Sequence, residues 1–223
     1  MAVQLEFLQS TPYFSGLSSD ELESIRQLIF EKTADRGEMV VFEGEPAEVL
    51  YFVASGAVKV FKMSAEGKEQ ILNIMRPGNA INEVSIFDGD PNPTSAQTMG
   101  SAVLYGIRKL DLETILHDYP QVAQNTVRVL ASRVRHLVSL VEDLSFKHVI
   151  GRVAKILIEQ AGDGKTPGPR LTQQEIAAMA GTAREVVGRS LKSLEEFGAI
   201  RLDGHRIVIT DEKALKEMTE VSS

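Results

Sequence analysis

Arg184, Glu185, Arg189 and Lys192 place three cations and a carboxylate within nine residues, between apolar positions at Val187, Leu191 and Leu194. That apolar spacing predicts a helix with one buried face, which leaves Arg184, Glu185, Gly188, Arg189 and Lys192 facing out. Such side chains can accept from and donate to base edges and phosphates in a DNA groove. Just upstream, Ile176, Ala177, Met179 and Ala180 form a second, shorter apolar helical pattern, and Gly181 lies between the two. Each segment opens on a hydroxyl residue with Glu three positions later: Thr172 with Glu175, and Thr182 with Glu185. Both pairs predict capping boxes. Two short helices joined at a glycine, the second with a polar outer face, fit a helix-turn-helix whose second helix enters a major groove.

The rest of the chain must position that reader. Its 223 residues and 43% hydrophobic content are enough for two modest cores. No segment approaches the roughly 18 consecutive apolar residues of a membrane span, and the first ten residues lack the order of a signal peptide. No membrane association and a cytoplasmic location are therefore expected. The absence of cysteine excludes disulfides and a cysteine-ligated iron–sulfur cluster. The formal net charge of −7 is unevenly spread. Residues 1–145 hold 12 Lys/Arg against 20 Asp/Glu, net −8, and residues 146–223 hold 12 against 11, net +1. A net charge of +1 attracts phosphates weakly, so dimerisation is the expected remedy.

Residues 5–30 read as helical, with Ser18 and Glu21 as a further capping box. From residue 36 to about residue 109, short runs rich in Val, Ile, Tyr and Phe alternate with glycine-marked turns, as in an antiparallel barrel or jelly roll. An interruption at residues 79–98 is too long and too rich in Gly, Pro, Asp and Asn for a simple hairpin. Barrels of this size hold one small ligand, and such interruptions line its site. A long helix begins near Tyr119. Ala123, Val127, Leu130, Val134, Leu137, Val141 and Leu144 alternate steps of four and three, the seam of a parallel coiled coil and hence of a homodimer. Arg128, Arg133 and Arg135 flank the seam and are read as a solvated face. A hinge follows at residues 145–151, then a Gly/Pro-rich loop at 162–170 that is a candidate contact for RNA polymerase. At the end, Asp203-Gly204 between apolar-alternating arms predicts a hairpin, and so a winged helix. Arg201, His205 and Arg206 on that wing are placed to meet phosphates. The expected architecture is α+β: a sensing jelly roll (1–118), a dimerisation helix (119–146) and a winged helix-turn-helix (147–223).

The order of these parts and several strings resemble the cyclic-AMP receptor protein / FNR family of bacterial transcription regulators across nearly the whole chain. Residues 42–87 look like its effector-binding jelly roll, 120–144 like its dimer helix and 171–200 like its winged helix-turn-helix. The most specific string is Arg184-Glu185-x-x-Gly188-Arg189. The resemblance implies that Arg184, Glu185 and Arg189 contact base edges of an inverted repeat resembling TGTGA-N6-TCACA. It also implies allosteric control by a small effector that shifts the dimer helix and hinge. Arginine is suited to guanine O6 and N7, and a carboxylate to cytosine N4. Thr182 and Gln174 are candidates for phosphate contacts that set the register. Gly188 costs about 1 kcal/mol against alanine in mid-helix, which predicts that the helix sits close to something bulky there.

The effector site departs from the family pattern. Where members that bind cyclic AMP resemble one another in a G-E-L motif and a later R-S-A motif, this chain reads Asn82-Glu83-Val84 and Thr94-Ser95-Ala96. The arginine that pairs with the cyclic phosphate is absent, and Leu137 and Val138 stand where hydroxyls meet the adenine. A phosphodiester would be poorly compensated, so an effector other than cyclic AMP is expected in a more apolar pocket. Alternatives are a haem-dependent gas or redox sensor, with His117, His136, His148 and His205 as the available ligands, a cyclic-nucleotide binder with an altered pocket, or an effector-free regulator. A metal-dependent jelly-roll enzyme needs histidines on its strands, and none precedes His117.

Overall fold

The computed structural model describes residues 3–161, 171–203 and 206–219. The chain forms two compact units, one of Met1–Lys62 and Leu72–Arg135, the other of Met63–Ile71 and His136–Ser223.

The first unit opens with α1 (Leu5–Ser10), a 3-10 turn at Pro12–Phe14 and α2 (Ser19–Arg26). The single helical stretch expected over 5–30 is thus broken: Pro12 stops one helix and starts the turn, and Ile29 already belongs to a strand. The Ser18–Glu21 capping box forms as predicted. The strands are β1 (Ile29–Ala34), β2 (Met39–Val41), β3 (Val49–Ser55), β4 (Val58–Met63), β5 (Glu69–Met75), β6 (Ala80–Ile81), β7 (Ser95–Thr98) and β8 (Ala102–Arg108), with α3 (Glu83–Asp88) between β6 and β7. They build two four-stranded sheets in the orders β1-β8-β3-β6 and β2-β7-β4-β5. The pairs β1–β8, β3–β8 and β4–β7 are antiparallel, the jelly-roll arrangement. Leu50, Phe52 and Ile107 pack with Phe14, Leu22 and Ile25 in one apolar cluster, while Val53, Val58 and Leu104 join Val41 and Ala96 in another. The interruption after Gly78 contains a helix, where the composition indicates only loop. Helix α4 (Lys109–Asp118) leads into α5 (Pro120–Phe146), the long helix.

In the second unit, α6 (Val149–Gln160), α7 (Gln173–Ala180), α8 (Arg184–Glu196) and α9 (Glu212–Thr219) surround a core of Val153, Leu157, Ile176, Val187, Leu191, Leu194 and Leu215. Strands β9 (Ile200–Asp203) and β10 (Arg206–Ile209) pair antiparallel as the wing, with Asp203 opposite Arg206. Arg201 on the wing is exposed. The loop at 162–170 expected as a candidate polymerase contact, Gly204 and His205 lie outside the described residues.

Candidate nucleic-acid interface and sensor site

The reader is set by backbone chemistry at the α7–α8 junction. Thr172 caps α7, its N–H donating to Glu175 Oε2 at 2.6 Å while Glu175 N–H donates to Thr172 Oγ1 at 3.2 Å. The helix ends at Gly181, whose φ of 63° is the left-handed conformation that glycine adopts without steric cost. The second capping box, from Thr182 to Glu185, does not form. Thr182 N–H closes the preceding helix by donating to Ala177 O at 3.0 Å, so one further extended residue is needed before α8 starts. Ala183 therefore takes the N-cap, without a side-chain acceptor, and Glu185 falls one position short of the capping-box site.

Val187, Ser190, Leu191 and Leu194 form the buried face of α8. Arg184, Glu185 and Arg189 are exposed and form no ion pair or side-chain hydrogen bond with other described residues. Lys192 is exposed too, with Nζ 3.9 Å from Glu196. Gln174 is exposed and Thr182 half-buried. Glu195 points the other way and accepts from Leu202 N–H at 2.7 Å, fastening α8 to the wing.

In the first unit the altered effector motif folds around a buried carboxylate. Asn82 is left-handed at φ 78°, the one non-glycine with positive φ among the described residues, and its Nδ2 donates to Val49 O at 3.1 Å. Asparagine enters this region more readily than other non-glycine residues, and here the side chain is anchored on β3, 33 positions away in the chain. The next residue, Glu83, is 5% exposed. Its carboxylate accepts from the Tyr13 hydroxyl and lies 2.8 Å from Arg133 Nε, an ion pair whose N–H is poorly aligned for a hydrogen bond. Arg133 also donates to Ala80 O at 3.1 Å. Burial pushes the Glu83 carboxyl above the ordinary carboxylate value, against the opposing pull of Arg133. Arg133 is thus not part of a solvated face, because a carboxylate this buried requires a cation. Tyr13, Glu83 and Arg133 thus form a charged cluster beside the altered motif.

The other predicted sensor residues differ in placement. Ser95 accepts from Glu43 N–H at 3.1 Å, Thr94 is half-buried and Val84 is 52% exposed. Ser85 Oγ and Asn92 Oδ1 are buried without a hydrogen-bond partner among the described residues. On α5, Val127, Val134, Leu137, Val138, Val141 and Leu144 are exposed, and Leu130 is half-buried. His117, His136 and His148 are exposed, and the described residues contain no group of three or more His, Cys, Asp or Glu placed to hold a metal. Among the described residues no helix is long and apolar enough to cross a membrane.

Residues 31–119 match the cyclic nucleotide-binding domain and residues 151–218 the Crp-like helix-turn-helix domain. The CRP-like cAMP-activated global transcriptional regulator of Mycobacterium tuberculosis is 33% identical over 217 residues, covering 94% of this chain and 97% of that protein. The cyclic AMP receptor protein of Thermus thermophilus is 29% identical over 211 residues, covering 95% and 98% respectively. In fold, FixK2 from Bradyrhizobium japonicum matches with a TM-score of 0.77 at 23% identity, over 87% of this chain and 99% of that one. The chain belongs to the CRP/FNR family of transcription regulators, whose members bind double-stranded DNA, function as dimers and are not enzymes.

Proposed function

We propose that this regulator is a cytoplasmic homodimer that binds inverted repeats resembling TGTGA-N6-TCACA, under the control of a small effector other than cyclic AMP. The observation that carries the DNA assignment is the outer face of α8, where Arg184, Glu185 and Arg189 are exposed and unengaged by other described side chains. Side chains held on a rigid helix and not already satisfied are available to base edges. Thr182, Gln174 and Lys192 fix the register on the phosphates. Pairing through α5 is supported by Val134, Val138 and Val141, each more than 60% exposed on one helix. Burying such residues against a second copy removes apolar surface from water. The same pairing sets two α8 helices against successive major grooves, about 34 Å apart.

The effector assignment rests on charge. Position 94 is threonine, and the cation that reaches the sensor site, Arg133, is already compensated by Glu83. A phosphodiester entering there lacks a free bidentate partner. Fluorescence anisotropy with the inverted-repeat duplex tests both parts of the proposal. Arg184→Ala is expected to weaken binding by about 1–3 kcal/mol and to relax preference at one base pair per half-site, and adding cyclic AMP is expected to leave affinity unchanged. Retained specificity in Arg184→Ala contradicts the reader, and enhancement by cyclic AMP contradicts the effector assignment.

A further inference from the structure

Gly188 sits in the middle of α8, where alanine is the better helix former, so something must favour the missing side chain. The described residues do not. A Cβ built at Gly106 would stand 2.3 Å from the Phe30 ring, and one at Gly56 would stand 2.7 Å from Ser101 O, so those glycines are required by packing. Among the described residues, a Cβ at Gly188 meets nothing nearer than Gln173 Oε1 at 3.8 Å, an ordinary contact. Gly188 also lies within an α-helix and outside the positive-φ set, so no backbone conformation demands glycine there.

The surroundings indicate what does occupy the space. Arg184, Gly188 and Lys192 follow one another at four-residue spacing, a single row on the helix surface. The row is therefore cation, gap, cation. Gln173, the first residue of α7, forms the wall beside the gap and is exposed. A recess floored by helix backbone, walled by an amide and bounded by two cations is complementary to the sugar–phosphate backbone of DNA.

We propose that Gly188 is a positioning residue: its missing side chain forms a seat for the sugar–phosphate backbone of the strand running past α7, between Arg184 and Lys192. This rests on the reading of α8 as the DNA reader. The seat acts on a part of DNA that is the same for every sequence, so filling it lowers affinity for all duplexes alike and leaves base preference intact.

The test uses the full-length protein with Gly188→Ala and Gly188→Leu, measuring thermal melting together with anisotropy on an inverted-repeat and a scrambled duplex at low salt, where non-specific binding is strong. Both variants are expected to melt at or above the wild-type temperature. Binding to both duplexes should weaken by about tenfold for alanine and further for leucine, with the ratio of the two affinities unchanged. Wild-type affinity in the variants, a lowered melting temperature for Gly188→Ala, or an altered preference between the duplexes each overturns the seat. A wild-type protein that binds neither duplex overturns the reading of α8 itself, a separate and recognisable failure.

Discussion

Two carboxylates are buried among the described residues, and their surroundings drive them in opposite directions. Glu83 has one poorly aligned cation, Arg133, and burial prevails, so its carboxyl titrates above the ordinary value of 4.5. Asp143 is also desolvated, but hydrogen bonds from Lys147 and Lys155 outweigh burial and hold it below the ordinary 3.8. Lys147 Nζ lies 2.8 Å from Asp143 Oδ1, and Lys155 bonds the other oxygen while donating to Ser139 Oγ at 3.1 Å. The signs of their pH effects differ accordingly. The contribution of Asp143 to stability is present above its unfolded value and lost as pH falls through its lowered folded value. That of Glu83 is present below its unfolded value and lost as pH rises through its raised folded value. Denaturant unfolding across pH is the corresponding measurement. Asp143→Asn is expected to cost on the order of 2 kcal/mol near neutrality, because it removes the buried anion that Lys147 and Lys155 share, with the deficit shrinking toward acid. Glu83→Gln is expected to become less costly, relative to the parent, as pH rises. Parallel pH profiles for the two variants would contradict the contrast.

At the scale of elements, α8 lacks a side-chain cap. Ala183 presents only its carbonyl, to which Val186 and Val187 N–H donate at 3.0 and 3.2 Å. Ala183→Ser supplies an acceptor for the first turn and is expected to stabilise the protein by about 0.5–2 kcal/mol in chemical denaturation; no gain would show that the first turn is already satisfied. The same junction shows how much of the site could be read from sequence. Thr172-x-x-Glu175 and Thr182-x-x-Glu185 look alike, and the first forms the box as expected. The second fails because the left-handed Gly181 draws Thr182 into closing α7, a consequence of the join and not of either helix. Strands β3, β4, β5 and β8 and the helices α5, α7 and α8 were legible because period and turn signals agree there. The pieces over 5–30 were not, since Leu22, Ile25 and Ile29 keep helical spacing across a change from helix to strand. Nor was the role of Arg133: seam periodicity identifies the apolar face of α5, but only the burial of Glu83 identifies which flanking arginine turns inward.

For the molecule as a whole, reader and sensor belong to different compact units, with the long helix α5 shared between them. The acidic first unit adds nothing to phosphate attraction, and the small positive charge of residues 146–223 leaves one copy with a weak electrostatic footprint. On the proposed pairing through α5, two copies would double the set of base contacts and impose two-fold symmetry on the site they select. The most direct test of this account is selection of bound sequences from a randomised duplex pool by the purified protein. The account predicts recovery of an inverted repeat resembling TGTGA-N6-TCACA, with half-sites one helical turn apart and the guanine preference lost in the pool selected by Arg184→Ala. Recovery of unrelated or asymmetric sequences, or of no sequence at all, would contradict it.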